Sequence, residues 1–242
     1  MQYNTTIMDY TVKYLNLSSR GLKELPSDLH LYTHLTFLDC SENCLTSLNP
    51  LPPTLTHLIC NNNRLTSLND LPPTLTHFSC SDNRLTSLEN VQFPASLTHL
   101  YCYNNELTSL ENVQFPASLT KLVCHFNQLT SLDNVQFPAS LTELDCSDNP
   151  LTSLDNVQFP ASLTHLYCSW NQLTSLDNVQ FPASLTHLNC SNNQLTSLNE
   201  LPPTLTHLVC RDNPFAYPFR TINLQTIREY NANRSVGVYV LK

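Results

Sequence analysis

The 242-residue sequence predicts a curved solenoid with one parallel β-sheet along its concave face, and three observations predict it. The first is a period. A unit beginning at Leu35 restarts at Leu55, Leu75, Leu97, Leu119, Leu141, Leu163, Leu185 and Leu205, at intervals of 20 or 22 residues. A degenerate unit at Val12 makes ten. The second is a two-residue spacing inside each unit. Leu58 and Cys60, like their equivalents, lie two apart and so share one face of an extended segment. The third is composition. Two Gly against 16 Pro fits a coil whose corners are made by Asn, Ser, Asp and Pro.

Each element follows in chain order. Residues 1–11 are expected to form an N-terminal cap, with Ile7, Met8 and Tyr10 over the first unit. Residues 12–213 carry the ten units, one short strand each. Strands ~4.8 Å apart give a sheet roughly 45 Å long. Asn43, Asn63, Asn83, Asn105, Asn127, Asn149, Asn171, Asn193 and Asn213 follow the strands, and their amides can satisfy backbone groups of the buried turn. On the return side LPPT and FPAS cannot continue a helix, because Pro lacks the N–H. Extended, polyproline-like segments with at most a 3-10 turn are expected there. Phe93, Phe115, Phe137, Phe159 and Phe181 are expected to stack as an internal spine beside Val91, Val113, Val135, Val157 and Val179. Residues 214–242 read as the C-terminal cap. It would hold a helix over Ile222–Asn233, with Ile222, Ile227 and Tyr230 on the last unit and Phe215, Tyr217 and Phe219 beside it. A terminal strand is expected over Ser235–Leu241.

The consensus L-T-x-L-x-C-x-x-N-x-L-T-S-L resembles the leucine-rich repeat signature over roughly residues 12–213, with Cys in the third apolar slot of nine units. Units ending in LPPT, such as LTHLICNNNRLTSLNDLPPT, are similar to the short bacterial class. The near-identical Cys-bearing units and the tail DNPFAYPFRTINLQTIREYNANR resemble leucine-rich repeat proteins of giant amoeba-infecting viruses. The resemblance implies a protein-binding scaffold, with a host protein as a conceivable partner.

Composition narrows the function. A formal charge of −8 supplies no basic footprint for nucleic acid. No run reaches the ~18 apolar residues of a membrane span. The start MQYNTTIMDY shows no signal peptide. Nine of the ten Cys recur at one repeat position, with Cys44 outside it, so free thiols in a reducing intracellular compartment are expected. No phosphate-cradling Gly loop, G-x-S-x-G or H-E-x-x-H is present, and no cofactor is called for. The expectation is a non-enzymatic module.

His-x-x-Cys recurs, as at His57/Cys60, at a spacing that could seed zinc in a loop. On a strand, residues three apart point to opposite faces, so no metal ligands are assigned. The His residues instead form rungs on the concave face: His57, His77 and His99, then His165, His187 and His207. They read either as a solvated ladder copied by duplication or as a metal- or pH-responsive surface. Near-identical units differ most where they carry bulky groups. Tyr101, Tyr103, Val123, His125, Phe126, Tyr167 and Trp170 are the candidate partner-binding residues, with acidic Glu143, Asp145 and Asp148 among them. A protein partner on the concave sheet is the first reading. The alternative is a structural or surface component whose regular Thr rungs form an ordered face without a discrete ligand site.

Overall fold

The computed structural model describes residues 9–68 and 70–235. Ten three-residue strands form one sheet, all pairs parallel and all neighbours consecutive in sequence. They are β1 (Tyr14–Asn16), β2 (Phe37–Asp39), β3 (His57–Ile59), β4 (His77–Ser79), β5 (His99–Tyr101), β6 (Lys121–Val123), β7 (Glu143–Asp145), β8 (His165–Tyr167), β9 (His187–Asn189) and β10 (His207–Val209). A helix, α1 (Leu224–Ser235), follows the last strand.

The register is that of the repeat. His57 lies beside His77, Leu58 beside Phe78 and Ile59 beside Ser79, and so on along the sheet. Middle residues of β2–β9 are buried, while the outer two positions are half-buried almost throughout. The core behind the sheet is columns of Leu plus the cysteine column, with Phe78 the largest side chain fully enclosed.

Two ladders of side-chain hydrogen bonds hold the units in register. Each buried Asn works across a pair of units. The Asn63 amide nitrogen donates to the carbonyls of Cys40, Cys60 and Asn61, and its Oδ1 accepts the Leu45 N–H. Asn127 does the same with Cys102, Cys124, His125 and Leu107. From β3 onward the Thr before each strand donates its hydroxyl to the preceding unit's Thr carbonyl, as from Thr76 to Thr56 at 3.0 Å. The cysteines are free thiols, nine of them buried and Cys44 half-buried. Several thiols donate to a carbonyl of the next strand, as Cys60 does to Ser79 at 3.2 Å. Burial pushes Cys40 and Cys102 up to about 12, so they stay neutral and behave as small apolar groups.

The return segments are turns and irregular chain, apart from a 3-10 turn at Leu29–Leu31. Val91, Val113, Val135, Val157 and Val179 are buried, but the Phe column is only half-buried, with ring centroids 6.4–6.5 Å apart from Phe93 to Phe159. A tight bend explains the difference from an internal spine. Phe93 N–H bonds back to the Val91 carbonyl, so Val takes the inward slot and Phe is turned to the surface.

Toward the N-terminus, the half-buried Tyr10 packs edge-on against Tyr32 and donates to Asp28; Ile7 and Met8 lie outside the described residues. At the other end the helix begins two residues later than expected. Asn223 accepts the Thr226 N–H while Thr226 Oγ1 accepts the Asn223 N–H, a reciprocal cap that starts the helix at Leu224. Ile222 therefore precedes the helix and is 36% exposed, rather than packed on the last unit. Ile227 is fully buried, and Tyr230 meets Tyr217 and Phe219 edge-on. The strand expected over Ser235–Leu241 lies outside the described residues beyond Ser235, which ends the helix.

Candidate interaction site on the concave sheet

Each strand presents two outward positions, and the turn after it adds a third row. The first outward row runs Tyr14, Phe37, His57, His77, His99, Lys121, Glu143, His165, His187, His207. Its rings stack nearly parallel: Tyr14–Phe37 at 4.8 Å, Phe37–His57 at 5.8 Å, His57–His77 at 4.4 Å and His77–His99 at 4.2 Å. The second triplet stacks at 4.1 Å between successive rings. Sequence reasoning missed Tyr14 and Phe37 as the start of this column. The register signal was there, since both occupy the slot that His57 fills.

The Thr ladder fixes the state of these imidazoles. Thr76 Oγ1 has one proton and gives it to a carbonyl, so the His77 Nδ1 at 3.0 Å must be the donor. The same holds for His57, His99, His165, His187 and His207. In a neutral ring held this way Nε2 is the acceptor. Because the rings are near-parallel, these lone pairs run side by side instead of converging. Among the described residues no three His, Cys, Asp or Glu groups gather at a point that could hold a metal ion. Burial, then neighbouring charge, lowers His77, His99 and His187 below the ordinary value of 6.5.

Between the triplets the face changes character. Lys121 pairs with Glu143 at 2.8 Å, and its ammonium lies 5.8 Å from the Tyr101 ring centre. His125 stacks on Tyr103 at 4.7 Å, meets Phe126 edge-on at 5.4 Å, and bonds Asp145 at 3.1 Å. Burial alone would raise Asp145, but bonds from His125 and Ser147 outweigh it and hold the carboxyl low. Tyr103, His125 and Phe126 thus form one connected cluster, while Tyr101 lies beside Lys121 and His99. Tyr167 and Trp170 stand farther along, on the unit that follows Asp145 and Asp148. Val123 is a correction. It lies in register between Tyr101 and Asp145 and is only 6% exposed, so it offers a partner little surface.

The third row lies in the turn just before each ladder Asn, and before Arg20 in the first unit. It runs Ser19, Glu42, Asn62, Asp82, Asn104, Phe126, Asp148, Trp170, Asn192, Asp212, and every member has φ between 50° and 56°. Asn and Asp tolerate this left-handed conformation; bulky aromatic residues rarely adopt it. Phe126 and Trp170 nevertheless occupy it, 54% and 60% exposed. With Asp148, Pro150 and Asn192 they line a cleft of about 390 Å³.

Stacked units, one parallel strand each, with an inward Asn ladder and a variable outward face define a leucine-rich repeat protein. The chain belongs to the BspA-type leucine-rich repeat family, whose six-copy repeat region matches residues 5–125 and 56–170; a general two-copy leucine-rich repeat description matches residues 161–203. No curated protein matches the chain by sequence. Among solved structures, YopM from Yersinia enterocolitica is similar at 31% identity and a TM-score of 0.58, over 85% of this chain and 52% of that one. The functional domain of InlJ from Listeria monocytogenes, described as including a cysteine ladder, is 26% identical with a TM-score of 0.58, over 87% of this chain and 56% of that one. CroV588, described as a circular leucine-rich repeat protein, is 34% identical with a TM-score of 0.60, over 76% of this chain and 28% of that one. The chain thus spans only about half the length of the first two and less of the third. No helix among the described residues is long and apolar enough to cross a membrane.

Proposed function

We propose that the protein is a non-enzymatic interaction module that binds a protein partner through the concave sheet and the turn row beside it. The observation that carries this reading is the exposed pair Phe126 and Trp170 in a left-handed turn row. Neither buries a face in the core, and both sit where the fold prefers Asn or Asp. Backbone strain of this kind persists where something else makes use of it. Solvent-exposed aromatic groups are common binding anchors, and solenoids of this type offer extended concave binding surfaces. The Thr rungs do not favour a purely structural face, because their hydroxyls are already used inside the stack.

The test separates fold from binding at the same residues. Trp170→Asn and Phe126→Asn install the residue that Asn62, Asn104 and Asn192 already use in this row. Each variant should melt no lower than the parent, and be stabilised by about 0.5–1 kcal/mol through relief of the backbone. Both should lose the partner recovered from lysate by the unaltered protein. Unchanged capture by the double variant would sink the reading.

A further inference from the structure

The cleft between Phe126 and Trp170 holds a carboxylate with no hydrogen-bond or ion-pair partner among the described residues. Lys121 neutralises Glu143, and His125 is bonded to Asp145. Asp148 is the remaining acid, and its carboxylate accepts no hydrogen bond and joins no ion pair among the described residues. The row itself shows how unusual this is. Glu42 accepts the Ser19 hydroxyl, and Asp82 accepts the Asn104 amide, each from the adjoining unit. The adjoining members for Asp148 are Phe126 and Trp170, which give its carboxylate no such bond. Burial, reinforced by the nearby Asp145, raises the Asp148 carboxyl, while His125 opposes the rise.

The dimensions suit a flat cation. Equivalent positions two units apart are roughly 10 Å apart at ~4.8 Å per strand. A planar group stacked on one ring takes up about 3.5 Å of that span, so the cleft admits it. Aromatic faces attract cations, and guanidinium does so while being weakly hydrated and planar. An ammonium is compact and strongly hydrated, so it loses more on entering a cleft walled by Phe126, Pro150 and Trp170.

Resting on the interaction reading above, we infer that this cleft receives an arginine side chain of the partner, its guanidinium between the two aromatic residues and its N–H groups on Asp148. The contact supplies the paired counter-charge that Asp148 lacks among the described residues.

Trp170 is the single tryptophan, so its indole signal reports from the cleft alone. The experiment titrates N-acetyl-arginine amide, its neutral isostere N-acetyl-citrulline amide, and N-acetyl-lysine amide (with a free side-chain amine) into the full chain, following the indole N–H by NMR. The arginine derivative should bind about fivefold more tightly than citrulline, the worth of one partly exposed charge pair. It should also bind more tightly than the lysine derivative. Asp148→Asn should remove the preference over citrulline; Asn is native at three positions of this row, and an unchanged melting curve confirms that the variant folds. Equal binding of arginine and citrulline, or a preference that survives Asp148→Asn, overturns the inference. Lysine binding as tightly as arginine overturns it too. If the aromatic variants lose the partner while arginine and citrulline bind alike, the interaction module stands and the arginine receptor falls. Arginine selectivity with partner capture unchanged by the aromatic variants would instead show a cleft that the partner does not use, and would overturn the inference as stated.

Discussion

At the scale of a residue, the ladder Asn carries more of the fold than its size suggests. Asn127 donates to three carbonyls and accepts one N–H from the preceding unit, all in a buried turn. Asn127→Ala leaves the buried Leu107 N–H without an acceptor, while the carbonyls of Cys102, Cys124 and His125 keep donors in Asn105, Asn149 and the Asn104 N–H. Chemical denaturation should show a loss of about 1–3 kcal/mol. A loss below about 0.5 kcal/mol, the usual range for a surface change, would mean that the turn is held by other contacts. The nine Asn positions were legible in the sequence because one column demands one chemistry. The partner-facing residues were legible only in part. Phe126 and Trp170 stood out as bulky departures, but Asp148 did not, since an acid among Asn and Asp looks ordinary. What sets it apart is the identity of its neighbours one unit away, which is a contact of register and not of sequence. Val123 misled for the same reason: its neighbours Tyr101 and Asp145 lie on the flanking strands.

At the scale of an element, strands and columns follow directly from the period, while ends and bends do not. Three residues per strand, with the middle one inward, is what the two-residue spacing demands. The start of α1 is set by a cap between Asn223 and Thr226, and the Phe column is turned outward by a two-residue bend; neither changes the apolar pattern. The His columns bear a prediction that belongs to the stacked strands. His77, His99 and His187 have folded values below 6.5, from burial first and neighbouring charge second. Above pH 6.5 both folded and unfolded forms are neutral there, and the contribution to stability is intact. As pH falls through 6.5 the unfolded chain takes up protons that the folded columns resist, so stability falls and keeps falling until the folded groups titrate. The melting temperature should therefore drop between about pH 7.5 and about pH 5, above the range where carboxylates titrate. A His77→Gln, His99→Gln, His187→Gln variant should flatten that slope. An equally steep slope in the variant would place the acid sensitivity elsewhere.

At the scale of the whole molecule, a stack in which each strand pairs only with its neighbours has its weakest points at the ends. Helix α1 is tied to the last units by specific groups. Ile227 is fully buried, the Arg228 guanidinium donates to the carbonyls of Pro202, Pro203 and Leu205, and the Asn231 amide donates to those of Leu198 and Asn199. We expect this helix to act as the cap of the open end. Ile227→Ala leaves a cavity worth about 2–4 kcal/mol, and Arg228→Ala leaves the Leu205 carbonyl without its donor. In a quasi-one-dimensional array that loss stays local: it lowers the cost of opening β10 and β9 before it is felt at the centre. Hydrogen exchange should show protection lost first in β10, then β9, with β3–β6 unchanged in either variant. The concave cluster on β5–β8 would then keep its geometry, and binding at Phe126 and Trp170 would survive the fraying. Uniform loss of protection along all ten strands would show instead that the stack opens as one cooperative unit. The end helix would in that case govern the interaction face from several units away.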